Sequence, residues 1–279
     1  MTTNWRRVGR AAFRKWLVGA VALTGLAASL AAHDLFLKLD TYFVPPDTTI
    51  RVAVLNGSFT ASEAPVARDR LTDLSLVTAG ARTGLPRDAW TPIGDTTWLA
   101  LRTGAAGTYV VGASTAPREL TLAAADFNAY LEHDGIPDVL EDRRRLGEQD
   151  RGVRERYHKH VKAIFQVGRQ RTDAYRVPLG YPAELVPVTN PYQLATGDTL
   201  ALRCLVDGRP AIHQLVIAGG ERAGQSLPER RIRSDAEGVV RVPLTSNGRW
   251  FVKFVHMERS TLPGVDYESK WATLTFEVR

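Results

Sequence analysis

Two runs near the C-terminal end, Trp250 to Met257 and Trp271 to Val278, constrain this chain more than any other feature. Each is dense in β-branched and aromatic residues, and a polar loop from Glu258 to Lys270 joins them, so they read as consecutive strands closing a β-sandwich. The first run ends on an imidazole with a carboxylate two residues on, His256 and Glu258. A second such pair, His33-Asp34, stands where the folded part of the chain is expected to begin. Whether the two pairs meet is the functional question that the sequence poses.

Residues 1–32 read as a leader. Arg6, Arg7, Arg10, Arg14 and Lys15 precede an apolar run from Trp16 to Ala28, and Ala27 to Ala32 offers small residues for cleavage. This is the pattern of a secretory signal peptide, with cleavage expected after Ala31 or Ala32 and the mature protein in the periplasm. Nothing after residue 32 is apolar enough to span a membrane. The leader holds five basic residues and no acidic one, so the formal net charge of +6 falls by five to +1 on its removal. No basic stripe with interleaved aromatics remains, so nothing argues for nucleic acid and no such partner is expected. Cys204 is the one cysteine, so an internal disulfide and a cysteine-only metal site are excluded, and its place in Leu200 to Val206 suggests a small buried hydrophobe.

Short alternating segments predict a mainly β fold. His33 to Leu39, Thr48 to Leu55, Leu71 to Val77, Trp98 to Leu101, Thr108 to Val111 and Glu119 to Ala123 form a first antiparallel unit over residues 33–124. The pattern then becomes helical over residues 125–170. One helix carries Phe127, Tyr130 and Leu131 and stops at Asp134-Gly135; a second begins at Pro137. A third is expected from Val153, Tyr157, Val161, Ile164 and Phe165, with Gly168 as its stop. A second β unit fills residues 171–279, where Thr199 to Val206 and Ala211 to Ile217 are expected to pair across Asp207 to Pro210.

The order of several motifs carries a resemblance. These are Ala32-His33-Asp34, then Phe127-Asn128-Ala129-Tyr130-Leu131, then Glu184-Leu185-Val186-Pro187 and Asn190-Pro191-Tyr192. Gly197-Asp198-Thr199-Leu200, Val255-His256-Met257-Glu258-Arg259 and Trp271 to Phe276 complete the set. With these the chain resembles, over nearly all of residues 32–278, the bacterial exported family of unknown function known as the NikM-like, substrate-specific region of nickel uptake. The resemblance implies two Ig-like or transthyretin-like sandwich units, nickel or cobalt as the bound species, and a membrane transport component or other envelope protein as partner. Copper and zinc stay open.

The residues themselves offer a modest set of ligands. An N-terminal amine beside the His33 imidazole can chelate a late transition metal, with Asp34 adjacent. His256 and Glu258, two apart in an extended segment, project to one side. If the first strand packs near the last hairpin, these four ligands converge. His158 and His160 would diverge on the expected third helix and read as a solvated face. His133 suits a helix C-terminus, and His213 reads as structural. No nucleophile elbow, His-Glu-x-x-His motif, phosphate loop or dinucleotide fingerprint is present, so a non-catalytic role is expected. The leading expectation is a metal-binding accessory to nickel or cobalt uptake or homeostasis, and the alternative is a metal-free interaction module of the cell envelope.

Overall fold

The structure is a computed structural model that describes residues 33–279. The expected leader lies outside the described residues. Strand makes up 53% of the structure, so the mainly β expectation holds. In chain order, β1 (Asp34–Leu39), β2 (Phe43–Val44) and β3 (Thr49–Gly57) come first. They are followed by β4 (Leu71–Thr78), β5 (Ala81–Gly84), β6 (Trp90–Ile93), β7 (Thr96–Arg102), β8 (Gly107–Thr115) and β9 (Arg118–Leu122). Helices α1 (Ala124–His133) and α2 (Pro137–Arg145) interrupt the strands. After them come β10 (Val153–Val167), β11 (Ala183–Pro187), β12 (Thr199–Val206) and β13 (Arg209–Pro210). The chain closes with β14 (Leu215–Arg222), β15 (Gln225–Arg233), β16 (Val239–Pro243), β17 (Gly248–Arg259) and β18 (Tyr267–Val278).

These strands form three sheets. The first has the order β1-β3-β7-β6. A ten-stranded central sheet runs β15-β14-β17-β18-β10-β8-β4-β5, with β2 and β9 also paired to β10. The third contains β11, β12, β13 and β16. The central sheet therefore draws on the stretches before and after the helices alike, and the described residues form one compact unit. Its β10 and β18 run parallel, with Lys159 opposite Trp271 and Val161 opposite Thr273.

Because paired residues share a face of a sheet, the register assigns side chains to sides. On one face stand Glu155 and Lys159 of β10, Ser269, Trp271 and Thr273 of β18, and Lys253, Val255 and Met257 of β17. This face meets the helices, where Phe127, Tyr130, Leu131, Ile136 and Leu140 pack with Val153, Val255, Met257, Tyr267 and Trp271. Beside the helices it meets β1, whose Leu35 and Leu37 carbonyls accept the Thr273 and Thr275 hydroxyls. The opposite face carries Lys162, Phe254 and Leu274 and is covered by the third sheet, with Lys162 paired to Glu184 of β11.

The expected third helix is a strand, the fifteen-residue β10. Val153, Tyr157, Val161 and Phe165 recur every four residues, and four is also a multiple of the strand period of two. The same residues would thus share a face in either structure. The true alternation was hidden because Glu155 and Lys159, on that same buried face, are charged. The first two helices form as expected, with Pro137 in the first turn of α2 and Gly135 at φ 76° after α1. A second correction concerns β12. It pairs with β11, β13 and β16, while β14 joins β15 and β17 in the central sheet. Between β13 and β14, His213 adopts φ 54°, a left-handed turn that local pairing rules did not anticipate.

Candidate functional site

The helix face of the central sheet holds a buried charge cluster that lines a cleft of about 350 Å³. Lys253 projects from β17 into the space between β1 and the end of α1. Its ammonium donates to Asp34 Oδ2 and, at 3.2 Å, to Asp134 Oδ1. All three side chains are largely buried, with 5% of Lys253, 13% of Asp34 and 6% of Asp134 exposed. Burial pushes the Asp34 carboxyl up against the pull of Lys253, and the nearby Asp134 charge adds to the rise. Burial also works against the Lys253 ammonium, but the attraction of the two aspartates outweighs it and raises its pKa. Asp34 Oδ1 is buried without any hydrogen-bond partner.

The cluster extends beneath the helices. Lys159 donates to the His33 carbonyl and lies over the Trp271 ring, 5.1 Å from its centroid; burial lowers its pKa to about 8. Glu155 accepts from the Tyr130 hydroxyl at 3.1 Å and from Ser269, and the Trp271 indole N–H donates to Ser269 at 3.0 Å. Burial raises Glu155 to about 7. The cleft walls add two imidazole–carboxylate pairs. His33 Nε2 is 3.5 Å from Glu63, and His133 Nδ1 is 3.3 Å from Asp134, whose hydrogen bond and charge raise the His133 pKa. Asp34, Glu63, Asp134 and Glu229 thus set four carboxylates against the one ammonium of Lys253 on the cleft lining.

The four ligands singled out in the sequence divide between two places. His33 and Asp34 belong to this cleft. His256 and Glu258 occupy even positions of β17 and so point to the other side of the central sheet from Lys253. There His256 Nδ1 lies 3.2 Å from Gln214 Oε1, and Glu258 lies 3.6 Å from Lys270. A shared centre built from His33, Asp34, His256 and Glu258 does not fit this structure, because a layer of sheet stands between the two pairs. Among the described residues, no group of three or more His, Cys, Asp or Glu side chains is gathered to hold a metal. Cys204 is buried, and burial raises its thiol to about 12.

The opposite face assembles histidines that the helical reading had separated. In β10, His158 and His160 share a side, and their rings meet with His160 Nε2 3.0 Å from His158 Nδ1. Lys270 of β18 is opposite both His158 of β10 and His256 of β17, and its ammonium reaches Asp207 at 2.5 Å. Asp134, Lys253, Lys159, Glu155 and Glu63 were missed in the sequence. Lys253 had a signal, being the lone charge in the apolar run Trp250 to Val255.

A mainly β protein of stacked sheets with an acid-lined cleft is the class that fold and site define. The chain belongs to the family described as Domain of unknown function (DUF4198), which matches residues 30–258. No curated protein matches it. Among solved structures it is similar to dimeric latent PorU from Porphyromonas gingivalis, at 10% identity and TM-score 0.22, over 88% of this chain and 20% of that one. It is also similar to a tetra-tandem repeat in the extending region of a large adhesion protein, at 14% identity and TM-score 0.21, over 88% of this chain and 49% of that one. The chain thus spans a fifth and about half of those two lengths. Among the described residues, no helix is long and apolar enough to cross a membrane.

Proposed function

We propose that this protein is a non-catalytic binding protein of the periplasm, of Ig-like or transthyretin-like kinship, whose cleft takes a small divalent cation. Nickel or cobalt is the first choice, through the resemblance to nickel-uptake proteins. One observation carries the reading: four carboxylates face a single ammonium in the cleft, and one buried carboxylate oxygen, Asp34 Oδ1, has no donor. His33, Asp34, Glu63, His133 and Asp134 supply nitrogen and oxygen donors of the kind these ions accept. Binding requires the two imidazole–carboxylate pairs to draw in from the walls. The partner in this reading is a membrane transport component or another envelope protein.

The test is equilibrium dialysis and calorimetry of the chain starting at Ala32 or His33 with Ni²⁺ and Co²⁺. One equivalent is expected, lost in His33→Ala and in Asp34→Asn and kept in His256→Ala. Absence of binding, or binding that survives both cleft substitutions, overturns the reading. It would favour the second reading, a metal-free interaction module of the cell envelope.

A further inference from the structure

On the far side of the central sheet from the cleft, two imidazoles face each other through ring nitrogens. His158 and His160 stand two apart in β10, so strand geometry puts both rings on one side. The rings are nearly perpendicular, at 88°, with centroids 4.8 Å apart. His160 is 2% exposed, and its other nitrogen, Nδ1, lies 2.9 Å from the Ser114 hydroxyl. Ser114 is in turn 3.0 Å from the Thr72 hydroxyl. His158 is half-buried at the edge of this arrangement.

Two neutral imidazoles have one N–H each. With the His160 proton on Nδ1, toward Ser114, its Nε2 presents a lone pair to His158. The His158 proton then sits either on Nδ1, bridging the rings, or on Nε2, leaving two lone pairs face to face. The second state repels unless a cation lies between them. The charges around them are largely matched: Lys270 is held by Asp207, and Arg156 by Glu268 at 2.7 Å. The covering layer presents the Tyr181 ring, 5.6 Å from His160, whose hydroxyl is engaged by Asp73.

We propose that His158 and His160 form a two-nitrogen site for a late first-row transition-metal ion, copper(II) foremost, independent of the acid-lined cleft. With metal–nitrogen bonds of about 2.0 Å, donors 3.0 Å apart subtend roughly 95° at the ion. That is the cis angle of a tetragonal copper(II) or nickel(II) centre, and copper(II) tops the affinity order for such donors. His158 Nδ1 and His160 Nε2 are the ligands. Ser114 is a positioning residue that holds the His160 tautomer. The remaining coordination positions open on the side of half-buried His158, where water or an incoming ligand completes the sphere.

The experiment uses the exported chain and copper(II) chloride. Binding is followed by calorimetry, and the copper centre is read by electron paramagnetic resonance, with and without ¹⁵N-labelled histidine. Wild type is expected to give a signal coupled to two histidine nitrogens. His158→Gln, which keeps a hydrogen-bonding partner for His160, is expected to weaken binding by about tenfold or more and leave one coupled nitrogen. Asp34→Asn, a cleft substitution, is expected to keep the signal coupled to two histidine nitrogens, whatever it does to copper bound in the cleft. No copper binding by wild type, fewer than two histidine nitrogens in its spectrum, or an unchanged spectrum and affinity in His158→Gln each overturn the proposal. If His158→Gln misfolds, the two-nitrogen signal must persist in His33→Ala, which removes a cleft imidazole, and its loss there overturns the proposal. Copper loss in Asp34→Asn with retention in His158→Gln places the ion in the cleft and also overturns it.

Discussion

Glu155 is a carboxylate set among aromatic rings, with Oε1 held by Tyr130 and Ser269 and Oε2 unpartnered. Its folded-state pKa is raised from 4.5 to about 7 by burial. A carboxyl raised on folding contributes no penalty below pH 4.5, where it is protonated in both states. As pH rises from 4.5 to about 7 the unfolded chain ionises first, so stability falls. The loss across that window is roughly 3 kcal/mol at about 1.4 kcal/mol per unit. Glu155→Gln, which mimics the protonated form, is expected to flatten the slope of unfolding free energy between pH 5 and 7.5 in urea titrations; an equal slope in both proteins would refute the assignment. At this scale the sequence was only partly legible. His33 and Asp34 stood out because they begin the first strand, but the ion pair of Asp34 with Lys253 joins residues 219 apart, and no local spacing encodes it. His256 and Glu258 were correctly placed on a common side, and only the topology puts that side away from the cleft.

The strand β10 contains the clearest lesson at the level of elements. Its apolar residues fall every four positions, a spacing that cannot choose between strand and helix, and three of its charged residues, Glu155, Lys159 and Lys162, are buried with partners far away in sequence. Lys162 is one of these, 3% exposed and bonded at 2.8 Å to Glu184 of β11, which also accepts the Leu179 and Gly180 amides. Glu184→Ala would leave a buried ammonium and two amides unpaired, with an expected cost of about 3–5 kcal/mol in chemical denaturation. Adding Lys162→Met to that variant is expected to recover part of the loss, since the stranded charge goes too. A double variant as unstable as the single one would show that the pair does not couple. By contrast, α1 and α2 were legible because Pro137 and Gly135 act through their own backbone.

For the whole molecule, the central sheet decides cooperativity. β4 and β8 from the first part of the chain, β10 from the middle, and β14, β17 and β18 from the last part share one hydrogen-bonded ladder. All nine residues of β8 are buried, and β10 covers one of its sides. Residues 33–279 are therefore expected to unfold in a single calorimetric transition, and a fragment of residues 33–124 to show no cooperative melt. Two resolved transitions, or a fragment that melts cooperatively, would mean that the sheet does not unify the fold. The mainly β class was legible from alternation, but the sharing of one sheet between distant stretches was not, because strand order depends on long-range packing rather than on turns.

The parallel pairing of β10 with β18 has a consequence for how the chain is made. β18 is the last described strand to be synthesised, yet it lies between β17 and β10 in the middle of the ladder. Until it arrives, β10 is paired along one edge by β8 and β9 and on the other only at Gln166 and Val167 by β2, and β17 lacks its long partner. Closing such distant pairs is slow. A polypeptide built this way cannot close its central sheet until β18 has been made, so the sheet's middle forms after its flanks.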